Sequence, residues 1–154
     1  MIFISGLTFG PIIGGFSGAI GSSLSDALSG FGIFAPFTFV VKGLEGYVAG
    51  LIAQKSEKRR ILLLAWAAGS VIMVLGYFLA ESVFIALVFG SSQYTGIAAA
   101  SGEVPFNIAQ VAGGGIVGIP VSLGVKYVIR STAFSSRMLG PLRGPPKKDP
   151  QSTN

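Results

Sequence analysis

The chain has 154 residues, of which 51% are hydrophobic and 11% charged, with 23 glycines, no cysteine and no histidine. A soluble domain carries charge on about a quarter of its residues, so this balance, with a mean hydropathy of +0.72, points to a lipid bilayer as solvent. Without Cys and His there are no disulfides, no thiol chemistry and none of the usual zinc or haem ligand sets. No G-x-x-x-x-G-K-[ST] run is present to cradle a nucleotide, and no cofactor is expected.

Residues 1–9, MIFISGLTF, are apolar but reach only about 14 Å as a helix, so they read as a helix stub. They lack the basic start of a signal peptide. FGPIIGG then marks a corner. Four longer apolar segments follow, at about 11–29, 37–54, 61–89 and 104–130. Each is long enough to span a membrane as a helix, which takes roughly 17–25 residues. None alternates with the period of a barrel strand. The expected fold is therefore an all-α polytopic membrane protein with four transmembrane helices and an N-terminal stub.

The connections carry turn chemistry. GFGIFAP (30–36) separates the first two spans, QKSEKRR (54–60) the next two, and GSSQYTGIAAASGE (90–103) the last two. Pro105 suits the first turn of the last helix, where its missing N–H is not needed. Residues 1–130 form the expected membrane domain. Residues 131–154, basic and rich in Pro and Gly, read as a disordered tail.

Four spans place the 54–60 loop and the tail on one side, with ten of the eleven Lys and Arg residues and a net charge of +8. That side should be the cytoplasm, where loops carry the excess Lys and Arg. Topology accounts for the basic balance, so a nucleic-acid partner is not expected, whereas the lipid bilayer is. The remaining charges are Asp26, Lys42, Glu45, Glu81 and Glu103, net −3, all in the outer part of a helix or at its mouth.

These residues belong to a repeated pattern. Lys42 and Glu45 are three apart and share a helix face, as do Glu103, Asn107 and Gln110, and Tyr77 with Glu81. Gln93 and Tyr94 lie in the connection beside them. Small residues run inward on the same helices: Gly10, Gly14 and Gly18, then Gly46 and Gly50, then Gly114 and Gly118. In lipid, small residues let helices approach closely. Ionisable groups within a membrane are costly and face a cavity or each other. The sequence thus predicts a packed inner half and an outer polar pocket lined by Asp26, Lys42, Glu45, Tyr77, Glu81, Gln93, Tyr94, Glu103, Asn107 and Gln110. Lys42–Glu45 as a purely structural pair, and Asn107 and Gln110 as interhelical glue, stay open. Trp66 reads as a membrane-interface residue. Ser22, Ser23 and Ser25 have no His partner, so an enzyme is not expected.

FGPIIGGFSGAIGSSLSDALSG, APFTFVVKGLEGYVAGLI, GYFLAES and EVPFNIAQVAGGGIVGIP resemble, in this order, the substrate-binding S component of energy-coupling factor (ECF) vitamin transporters, in the riboflavin group. The resemblance covers residues 1–130. It implies a six-helix membrane protein with cytoplasmic termini that binds a vitamin in an outward-facing pocket. Delivery then proceeds by toppling on a transmembrane T component driven by two ATPase subunits. It places the pocket near Lys42–Glu45, Tyr77–Glu81 and Gln93–Gln110. The family's first helix and the front of its second have no counterpart here, so residues 1–9 would be the tail of the second helix in a truncated version of that fold. The acidic pocket with one lysine suits a riboflavin-like or a thiamine-precursor-like heterocycle. The alternatives are a glycine-packed oligomeric channel and an accessory structural subunit.

Overall fold

The computed structural model describes residues 1–88 and 93–139. They form five helices and no strand: α1 (Ile2–Phe9), α2 (Pro11–Leu28), α3 (Ala35–Ala53), α4 (Arg59–Val88) and α5 (Gln93–Leu139). α3, α4 and α5 each contain a stretch long and apolar enough to cross a membrane: Ala35–Ala53, Arg59–Phe84 and Gly96–Thr132. α2 has 18 residues, but its glycines, its serines and Asp26 dilute its hydropathy, and it does not join that set. The sequence expectation of four such spans is therefore met by three.

The turns follow local chemistry. α1 reverses into α2 at the single residue Gly10, whose φ of 90° suits a residue without Cβ, and Pro11 opens α2. At the far end of α2, Gly30 (φ 88°) lets the Phe31 N–H return to the Asp26 carbonyl at 2.9 Å, the six-to-one bond of a Schellman cap.

The last helix departs from the sequence reading. It begins at Gln93 and runs through Pro105 and Pro120 without ending at either. The alanine run ahead of Pro105 favours helix, and packed neighbours tolerate proline inside membrane helices. Pro105 is thus a helix-interior residue and not a helix start. The same helix continues from 131 to Leu139; residues 140–154 of the expected tail lie outside the described residues.

Packing is dominated by glycine on one side and by Phe3 at the centre. Gly6, Gly14 and Gly46 bring α1, α2 and α3 into backbone contact. A Cβ at Gly46 would overlap the Gly14 carbonyl, and one at Gly50 would meet Gly10 and Pro11. Gly18 lies against the Lys42 carbonyl. Phe3 is 4% exposed and inserts from α1 against Gly69 of α4 and Gly114 and Gly118 of α5. Leu7, Ala49, Ala53, Leu62, Ala65, Met73, Val111 and Ile119 complete this core. The outside is inverted relative to a soluble protein: Ile12, Phe16, Ile20, Leu24 and Leu28 leave one apolar stripe of α2 exposed, and Val71, Leu75, Leu79 and Val83 do so on α4. A helix bundle with continuous apolar stripes on its outside is built for lipid.

Candidate substrate-binding site

Thr38, Lys42 and Glu45 follow one another on α3 at spacings of four and three, so all three project from one face. That face turns into the bundle, leaving them 2%, 5% and 2% exposed. Each neighbouring long helix brings a polar partner to this face: half-buried Asp26 from α2, half-buried Tyr77 from α4 and the exposed Gln110 from α5. The Tyr77 hydroxyl donates to Thr38 Oγ1 at 3.1 Å, and the Thr38 hydroxyl donates in turn to Asp26 Oδ2. Lys42 Nζ donates to Glu45 Oε2 at 3.0 Å and to Gln110 Oε1 at 3.2 Å. It also sits 5.6 Å from the Tyr77 ring centroid, within cation–π range.

Two hydrogen-bond chains therefore run side by side, Asp26–Thr38–Tyr77 and Glu45–Lys42–Gln110. They are joined through the Tyr77 ring and link all four long helices. An isolated buried charge costs several kcal/mol, and pairing with further hydrogen bonds is what makes one tolerable. Here the ammonium has a carboxylate, an amide oxygen and an aromatic face.

The other predicted residues are less integrated. Glu81 lies one turn along α4 from Tyr77, and its Oε2 is buried with no hydrogen-bond partner among the described residues. Asn107 is half-buried and Glu103 exposed, one and two turns along α5 from Gln110. Gln93 and Tyr94 stand in the first turn of α5, but their side chains lie outside the described residues. Thr38 is the site residue the sequence reading missed. Its signal was present, since it lies four residues before Lys42 on the same face, but an uncharged threonine in an apolar helix did not stand out from the helix around it.

Nothing in this arrangement activates a nucleophile. What it offers is a buried cation, several acceptor oxygens and an aromatic ring at one depth, groups suited to holding the polar edge and the face of a small ring compound. Residues 1–127 match the family described as ECF-type riboflavin transporter, S component. The chain belongs to this family. It is a family of membrane transport proteins and not of enzymes, which agrees with the bundle's lipid-facing exterior. The S component is also 40% identical over 77 residues to a Pyrococcus woesei protein described as an uncharacterized protein in gap 3′ region. That stretch covers 50% of this chain and 51% of the relative, so the chain spans about half the length of the curated relative it matches.

Proposed function

We propose that this S component is the membrane-embedded binding subunit of an ECF-type importer. It binds a small heterocyclic vitamin at the polar cluster around Lys42 and hands it on through a T component and two ATPase subunits. The observation that carries this reading is the convergence of hydrogen-bonded polar side chains from four helices around Lys42. A purely structural ion pair would need only Lys42 and Glu45, which already meet within α3. The additional recruitment of Asp26, Tyr77 and Gln110, together with a Glu81 oxygen that has no partner among the described residues, supports a site with capacity left for a ligand.

The excess of acceptors over donors favours a ligand that donates hydrogen bonds: a neutral heterocycle such as riboflavin or a cationic one of the thiamine-precursor type. Sorting of Lys and Arg supports an orientation with the Glu57 loop and the C-terminal tail cytoplasmic and the Lys42 cluster toward the outside. Mass spectrometry of small molecules retained by the detergent-extracted protein tests the reading. A stoichiometric heterocycle is expected, and an anionic chain-like ligand or a persistently empty site would overturn it.

A further inference from the structure

Away from the Lys42 cluster, α4 and α5 part to leave a cleft of about 350 Å³ lined by Arg59, Leu63, Trp66, Ala112, Ile116 and Pro120 among others. Its shape is fixed from within. The Trp66 indole donates from Nε1 to the Val111 carbonyl at 2.8 Å, and its ring lies so close over Gly115 that a Cβ there would overlap it. The walls are apolar, and Arg59 is the single charged residue among them. Ile116 in the cleft lining is 75% exposed and belongs to Gly96–Thr132, a stretch long and apolar enough to cross a membrane.

Arg59 is also uncommitted. Glu57, the carboxylate two residues before it, is engaged by Arg130 at 2.7 Å and Lys126 at 4.0 Å. Arg59 forms no salt bridge among the described residues, and the first turn of α4, which opens with Arg59 and Arg60, contains no acidic residue. We infer that this cleft is a binding site for an anionic phospholipid, with an acyl chain along Trp66, Ile116 and Pro120 and the headgroup phosphate on the Arg59 guanidinium. Guanidinium pairs with phosphate in a planar fork, and basic positions between membrane helices at the interface select anionic headgroups. The groove between α2 and α3, lined by Ile12, Phe16, Phe39 and Tyr47, is an internal contrast. It has no charged residue in its lining and should take acyl chains without regard to headgroup.

The test is native mass spectrometry of the S component released from nanodiscs of equal phosphatidylglycerol and phosphatidylcholine. One phosphatidylglycerol should be retained in preference to phosphatidylcholine. Arg59→Gln should lower that preference about tenfold, and Ala112→Leu, which fills the cleft, should lower retention of both lipids. Arg60→Gln, outside the cleft lining, should leave the preference unchanged, and an unaltered melting temperature would show that each variant is folded. Equal retention of the two lipids by the unaltered protein would overturn the inference. So would an unchanged preference in Arg59→Gln, or the same loss in Arg60→Gln, since a diffuse basic surface and not the cleft would then be responsible.

Discussion

Lys42 and Glu45 meet at 3.0 Å on one face of α3 with their side chains 6% and 3% exposed. A salt bridge this enclosed does not by itself explain why a membrane helix retains it, because a well-packed apolar pair is often at least as stable. Removing one partner is different, since it strands the other charge. Lys42→Met should therefore cost about 3–5 kcal/mol of stability. The double variant Lys42→Met/Glu45→Met should recover most of that loss, which thermal unfolding in detergent would show. Failure of the double variant to recover would mean that the pair itself holds the bundle together.

Thr38 joins two helices to a third through a single hydroxyl. Thr38→Val keeps the shape of the side chain but leaves Asp26 and Tyr77 without their shared partner. The expected loss is about 1–3 kcal/mol. Tyr77→Phe, which removes one donor and leaves Thr38 bonded to Asp26, should cost less, about 1 kcal/mol. Equal losses from the two would show that the chain through Thr38 does not act as a unit.

The glycines are not equivalent. A Cβ at Gly46 would fall on the Gly14 carbonyl, whereas one at Gly21, also helical, would meet nothing within 4 Å. Gly46→Ala should force α2 away from α3 at a cost of about 1–3 kcal/mol. Gly21→Ala should be neutral or stabilising by up to about 1 kcal/mol. Melting temperatures of the two variants side by side would check this. A harmless Gly46→Ala would mean that the α2–α3 crossing is looser than the structure has it.

Much of this was legible in the sequence because bilayer physics leaves few choices. Segment lengths and the absence of charge between Ile61 and Ala80 located α4, and a spacing of three placed Lys42 beside Glu45. The less legible parts depended on tertiary context. Pro105 carries a helix-start signal, yet α5 begins at Gln93 and runs through it. Trp66 has the composition of a membrane-interface residue, yet its N–H bridges α4 to α5. Phe3 sits in a short apolar stretch with no pattern to mark it, and it became the centre of the core because three glycines on two other helices leave room for its ring. Phe3→Ala should accordingly cost about 3–5 kcal/mol, more than truncating the exposed Phe16.

Orientation has a direct check, because the chain contains no cysteine to interfere. A cysteine in place of Gly32, between α2 and α3, should react with an impermeant maleimide added outside intact cells. One in place of Ser56, between α3 and α4, should react only after the membrane is opened. The reverse pattern would put the Lys42 cluster on the cytoplasmic side.

In the proposed function the polar cluster around Lys42 binds a vitamin and does more than hold helices together. Titration of riboflavin and of a thiamine-type heterocycle into the purified S component, beside the folded double variant Lys42→Met/Glu45→Met, separates the two roles. The unaltered protein should bind one of these compounds saturably, and the double variant should lose at least about tenfold in affinity, ~1.4 kcal/mol, at near-unchanged stability. Equal affinity in the two proteins would contradict the proposed function and would leave Lys42 and Glu45 as a structural pair.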